Sequence, residues 1–236
     1  MERTCLSRTI FFLIAVLAVL AGAAFALLPD LDVTVASWFY REPAQFVGKT
    51  APGNAGRTIF ATLPFLVLAA FVIAWGARRL GMVWRFAPSG REVAFLVATM
   101  ALGPGLLVNL TFKDHTHRPR PVHIQPFGGK IEFRPFYKAD GACPKNCSFP
   151  SGETAASVWL VAPALLAPPP LRFAAVSAAL LFGAATGLLR MAFGGHFLSD
   201  VVFAGLIMLL LIAGFWRGVF GWGVKHAQSA STPSSA

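Results

Sequence analysis

The sequence predicts an all-α, polytopic membrane protein: a bundle of six transmembrane helices with a short interfacial segment in its outer loops. Two observations predict it. Hydrophobic residues make up 56% of the 236 residues and charged residues only 13%, against about 25% charged in ordinary soluble domains. The apolar residues also fall into runs of the ~20 residues that one helical crossing requires. The net charge of +10 is dispersed between these runs. That pattern argues against a nucleic-acid partner and for anionic headgroups and an anionic ligand.

The first run, Ile10 to Leu28, is free of charge and follows Arg3 and Arg8. Small residues near its end would suit a cleaved signal peptide, but the run exceeds the roughly 7–15 residues of a signal-peptide core, which favours an uncleaved helix. Thr58 to Gly76 is the second crossing, closed by Arg78 and Arg79. Val93 to Phe112 is the third, closed by Lys113, with Gly103-Pro104-Gly105 expected to kink it. The fourth, Ser151 to Ala167, stops at Pro168-Pro169-Pro170, because proline cannot continue a helix. The fifth is Phe173 to Leu189, and the sixth begins near His196 and runs to about Phe215. The stretch 227–236 is small and polar and reads as a disordered tail.

Six crossings put both termini on one side. Arg3, Arg8, Arg78, Arg79, Arg85, Arg91, Arg172, Arg217 and Lys225 fall on that side, which the positive-inside rule assigns to the cytoplasm. The long loop 113–150 on the other side is nevertheless basic, with Lys113, Arg118, Arg120, Lys130, Arg134, Lys138 and Lys145. Either the topology is inverted or several of these cations bind an anion. Cys143 and Cys147 lie in the same loop. A C-x-x-x-C pair suits a metal clip, a redox pair or a disulfide, and outside the cytoplasm a disulfide is favoured.

Three clusters lie at the ends of apolar runs on the loop side: Lys113 with Arg120-Pro121; Pro150-Ser151-Gly152-Glu153; and Arg190 with His196 and Asp200. Alone, each reads as snorkelling cations, a turn or a helix cap. Together they make a site. His196 and Asp200 are four apart, so on a helix they share a face. A carboxylate there holds one imidazole nitrogen protonated and frees the other to attack. Lys113, Arg120 and Arg190 neutralise an anion, and the N–H groups of Ser151 and Gly152 at a helix start receive it.

The order and spacing of these residues resemble the three-part signature of the type 2 phosphatidic acid phosphatase superfamily, K-x6-R-P, then P-S-G-H, then S-R-x5-H-x3-D. The resemblance covers helices three to six and both outer loops. It implies a single six-helix transmembrane phosphatase domain over residues 1–226, a metal-independent and cofactor-free phosphohydrolase site, and a membrane lipid as substrate. It implies a phosphohistidine on His196 oriented by Asp200, with phosphate held by Lys113, Arg120, Ser151, Gly152 and Arg190. It also implies a bacterial inner membrane with the site facing the periplasm. Oligomeric state is open.

Two departures stand out. Leu189 replaces the signature serine before Arg190, and Glu153 replaces the histidine that in the family protonates the leaving oxygen. Glu153 is expected to serve as the acid, which requires a raised pKa. The alternatives are a proton from His115, His117 or His123, a leaving group that needs little protonation, or loss of activity. Asp114, His115 and His117 suggest a zinc set, but the neighbouring arginines repel a cation. The Ser-Gly-Glu variant and the cysteine-containing loop look most similar to bacterial lipid A phosphatases of this superfamily. Undecaprenyl pyrophosphate, phosphatidylglycerophosphate and phosphatidate are alternative substrates. A lipid phosphotransferase and a non-catalytic anionic-lipid carrier are alternative functions.

Overall fold

The computed structural model describes residues 2–42, 45–82 and 87–229, with side chains at 2–7, 114 and 221–229 outside that description. Arg85 and residues 230–236 lie outside the described residues, and 227–229 are helical rather than part of a tail.

The long elements are helices: α1 (Glu2–Leu27), α3 (Ala51–Arg79), α4 (Gly90–Met100), α8 (Pro169–Ala192) and α9 (Leu198–Ser229). Between the first two lie a short α2 (Leu31–Ser37) and a two-residue hairpin, β1 (Tyr40–Arg41) against β2 (Gln45–Phe46). Five segments are long and apolar enough to cross a bilayer: Arg8–Leu27, Ala51–Arg79, Gly90–Phe112, Pro169–Ala192 and Leu198–Phe220. Their large side chains point outward, as Phe12, Ile73, Leu181 and Phe173 do, which only a lipid surround favours. The 29 residues of α3 span about 43 Å, more than the hydrocarbon thickness, so its ends reach beyond the apolar layer.

Local chemistry sets the boundaries. Thr50 caps α3 by accepting from the Gly53 N–H at 3.1 Å. Ser89 and Glu92 form a reciprocal capping box at α4. Beyond α4, residues Ala101–Phe112 run on as a π-helix. Pro104 lacks the N–H that would bond back to Met100, so the ladder widens there rather than breaking. The helix closes with α5 (Lys113–His115).

The expected fourth crossing is not one helix. It is split into α6 (Gly152–Val158) and α7 (Val161–Leu165). Pro163 explains the break, because its ring opposes the carbonyl four residues back, that of Trp159. The Trp159 carbonyl accepts instead from Ala162 at 2.8 Å in a tighter turn. Pro169 and Pro170 then open α8 at its first positions, where a missing N–H costs nothing.

The core is built on this bent segment. Trp159 is fully buried among Phe95, Leu96, Ala162, Met208 and Ile212, and its indole N–H donates to the Leu96 carbonyl (3.2 Å) and Thr99 Oγ1 (3.0 Å). At the end of the bundle where α3 starts and α8 finishes, a second cluster of Phe46, Ile124, Phe127 and Phe197 forms under the loop 113–150. That loop contains two single 3₁₀ turns, Pro121–His123 and Gln125–Phe127.

α8 and α9 meet at Gly187, where a Cβ would lie 2.3 Å from Val201 Cγ1. Gly187→Ala is expected to lower stability by about 1–3 kcal/mol through overpacking. Adding Val201→Ala should recover most of it, read from thermal unfolding of the detergent-solubilised protein by circular dichroism.

Candidate active site

The residues singled out in the three clusters converge at one end of the bundle. Lys113 comes from the end of the π-helical stretch, Arg120 from the loop, Glu153 from the start of α6, Arg190 from the end of α8, and His196 and Asp200 from the entry to α9. His196 is 2% exposed and Asp200 fully buried.

His196 is not on the helix with Asp200. The chain turns at Gly194-Gly195, α9 starts at Leu198, and His196 precedes it. Asp200 lies in the first turn, where its carboxylate accepts from the Phe197 N–H at 2.7 Å. Asp200 Oδ2 is 3.6 Å from His196 Nδ1, too far for a good hydrogen bond. The partner of Nδ1 is the Ser148 carbonyl at 2.7 Å. A carbonyl only accepts, so Nδ1 carries the hydrogen and Nε2 keeps its lone pair. Asp200 acts on the same residue by another route, since the Ser148 hydroxyl donates to Asp200 Oδ2. Asp200 thus faces the imidazole at 3.6 Å and also reaches it through Ser148.

Asp200 is itself held by Arg118, a loop cation that the motif reading passed over. The Arg118 guanidinium is fully buried and donates to Asp200 Oδ1, to Asp32 Oδ2 (2.6 Å), to Ser199 Oγ (2.8 Å) and to the Arg134 carbonyl (2.9 Å). It lies over the Phe197 ring at 4.5 Å and near Phe133 at 5.6 Å. Asp32, from α2, also accepts from the Ser199 N–H (2.8 Å) and hydroxyl (2.6 Å). The network ties the N-terminal quarter of the chain to the imidazole.

The anion-binding groups surround this centre. A Cβ on Gly152 would stand 3.3 Å from Lys113 Nζ and 2.7 Å from Asn109 Oδ1, so both side-chain ends lie close against the start of α6. Arg120 donates to the carbonyl (2.9 Å) and side-chain oxygen (3.0 Å) of Asn146, which sits inside the ring closed by the Cys143–Cys147 disulfide. Burial and then the Arg57 charge lower the Arg120 pKa from its usual value. The buried Nε–H of Arg190 has no hydrogen-bond partner among the described residues. Ser151 differs from expectation: its hydroxyl pairs with Thr154 Oγ1 at 2.8 Å and caps α6, and its N–H bonds the Asp200 carbonyl at 3.1 Å. The N–H expected to receive an anion is thus engaged within the protein.

Glu153 stands at the mouth of α6, outside the five apolar spans. It is held by Arg57 of α3, whose Nη2 is 2.7 Å from Oε1 and whose Nε is 3.2 Å from both oxygens. Arg190 Nε lies 3.5 Å from Oε2. Burial alone would raise the Glu153 pKa, but the Arg57 hydrogen bond and the Arg190 charge outweigh it and hold the carboxyl below its usual range. This environment opposes the expected acid role. Of the loop histidines, His115 Nδ1 meets the Thr111 carbonyl (2.6 Å) and His117 Nδ1 the Cys143 carbonyl (3.0 Å). Burial, then Arg120 and Lys49, lower the His123 pKa. The side chain of Asp114 lies outside the described residues.

Arg57, Asp32 and Ser148 were not found from sequence, and Arg118, counted among the loop cations, is paired with Asp200 and Asp32 rather than left for an anion. Arg57 carried a usable signal: it lies on the loop side, where the positive-inside rule does not ask for cations.

The His196 imidazole is pushed down to about 4, chiefly by burial; Asp200 pulls the other way and Arg190 and Arg120 add to the lowering. The imidazole is therefore neutral above about pH 4. Corrected for the substrate phosphate's own titration, kcat/KM is expected to fall only as pH drops through about 4; an enzyme limb near 6.5 would contradict this. Arg118→Ala leaves two buried carboxylates without their cation and is expected to cost about 3–5 kcal/mol. Arg118→Lys should recover little of it, because a point charge cannot replace the fork; denaturant unfolding in detergent measures both.

Residues 92–223 match the PAP2 superfamily. A lipid A 4'-phosphatase of Francisella tularensis subsp. novicida is 36% identical over 189 residues, covering 79% of this chain and 85% of that protein. A lipid A 4'-phosphatase of Rhizobium leguminosarum is 36% identical over 194 residues, covering 78% and 79%. The crystal structure of a transmembrane PAP2-type phosphatidylglycerolphosphate phosphatase from Bacillus subtilis shares the fold, with a TM-score of 0.55 at 18% identity over 95% of this chain and 98% of that one. The chain belongs to the PAP2 superfamily and is a multi-pass membrane lipid phosphatase.

Proposed function

We propose that this phosphatase removes a phosphate from lipid A, through a phosphohistidine on His196, at the periplasmic face of a bacterial inner membrane. The observation that carries the chemistry is the 2.7 Å hydrogen bond from His196 Nδ1 to the Ser148 carbonyl, which leaves Nε2 as the nucleophile. Nε2 attacks phosphorus; the N–P bond forms as the P–O bond to the lipid breaks, and the electron pair leaves with that oxygen. Water then attacks the phosphohistidine, the N–P bond breaks, and inorganic phosphate departs from a neutral imidazole. Lys113, Arg120 and Arg190, with the Gly152 backbone, neutralise charge on the phosphoryl oxygens in both steps.

The substrate reading rests on the relatives named lipid A 4'-phosphatase. The facing rests on two supports. The arginines Arg78, Arg79, Arg91 and Arg172 lie at the opposite end of the helices from His196, and the positive-inside rule makes that end, with both termini, cytoplasmic. The Cys143–Cys147 disulfide on the site's side favours an oxidising compartment.

The test is phosphate release by the purified protein in detergent from lipid A, undecaprenyl pyrophosphate, phosphatidylglycerophosphate and phosphatidate. Release is expected to be fastest from lipid A. His196→Ala should lower it by about three orders of magnitude or more while leaving folding intact. Equal rates in parent and variant would remove His196 from the chemistry, and a faster rate on another lipid would replace the substrate.

A further inference from the structure

Glu153, held ionised between two guanidinium groups, cannot supply a proton to the departing lipid oxygen as a neutral acid would. Something else must meet the charge that builds there. We propose that Arg57 is a further substrate-contacting residue: its guanidinium, presented by Glu153, binds the oxygen that links the phosphate to the lipid. The inference rests on the phosphatase reading above and extends it to the leaving group.

Position is the first argument. In an in-line displacement the leaving oxygen lies opposite the attacking nitrogen. His196 and Arg190 are at the buried floor, with side chains 2% and 4% exposed, whereas Glu153 and Arg57 are 24% and 44% exposed. Substrate enters from the exposed side and its phosphorus meets His196 at the floor, so the bond to be broken points back towards Glu153 and Arg57. Glu153 links the two levels, with Arg190 Nε 3.5 Å from Oε2 and Arg57 Nη2 2.7 Å from Oε1.

Preorganisation is the second. Arg57 is gripped through two of its nitrogens, Nε and Nη2, by one carboxylate. Its guanidinium carbon lies 5.8 Å from the centre of the Phe193 ring, which the Arg190 guanidinium approaches at 6.0 Å. A guanidinium has five N–H donors, more than Glu153 engages. A cation held in place before the charge develops stabilises the transition state without reorganising. Glu153 also offsets the repulsion among Arg57, Arg120 and Arg190, which lets three guanidinium groups share one site.

The balance of the step is closed by solvent. The P–O bond breaks with its electron pair on oxygen, Arg57 meets that charge, and the oxygen takes a proton from water, leaving hydroxide; Arg57 stays protonated throughout.

The experiment measures kcat and KM on the best lipid of the panel, and the inhibition constant of inorganic phosphate, for the full chain in detergent. Inorganic phosphate fills the phosphoryl subsite but carries no lipid. Arg57→Ala is expected to lower kcat about 100-fold while changing the phosphate inhibition constant less than about twofold. Arg57→Lys, which restores a cation, should regain part of the loss. Arg57→Gln guards against a misfolded alanine variant and should behave as Arg57→Ala does. A phosphate inhibition constant that worsens in step with kcat/KM would move Arg57 into the phosphoryl subsite and overturn the proposal. So would an Arg57→Gln enzyme with the parent's kcat. A parent that releases no phosphate from any lipid would overturn the phosphatase reading, and this inference with it.

Discussion

The buried Arg118 guanidinium is the interaction on which the rest of the site depends. It joins two carboxylates from opposite ends of the chain, Asp32 and Asp200, in a region without water-exposed surface. Any one of these charges alone would be too costly to bury; together, and with Ser199, Ser148 and the Phe197 N–H supplying further hydrogen bonds, they are satisfied. The geometry then propagates. Asp200 holds the Ser148 hydroxyl, Ser148 offers its carbonyl to His196, and the imidazole is left in one tautomer. A loop that would otherwise only cover the bundle becomes part of the frame around His196.

The disulfide belongs to the same frame. Cys147 immediately precedes Ser148, and Asn146, within the closed ring, receives Arg120. The segment 146–148 therefore touches both Arg120 and His196. The Phe46–Phe127–Tyr40 cluster and the Phe133–Phe197 contact anchor the loop to the bundle. A loop built this way keeps its polar groups in register despite having almost no regular structure.

Glu153 shows how one substitution in a family pattern changes more than one role. A histidine there can donate a proton. A glutamate there recruits Arg57 and Arg190 and becomes an anionic anchor.

The sequence by itself determined the all-helical membrane architecture, because runs of about twenty apolar residues admit no other stable arrangement in lipid. It also determined which end carries the chemistry, because Lys113, Arg120, Glu153, Arg190 and His196 all fall at boundaries of those runs on one side. Tertiary structure alone decided the partners. Arg118 and Asp32 are 86 positions apart, and Arg57 and Glu153 96, so no local spacing could pair them. It also decided that Trp159, next to the break at Pro163, is buried in the core, and that a backbone carbonyl lies closer to His196 Nδ1 than Asp200 does. Periodicity and charge place residues on faces and at membrane ends; which buried charges meet is settled only when the helices pack, because burial is what makes an unpaired charge intolerable.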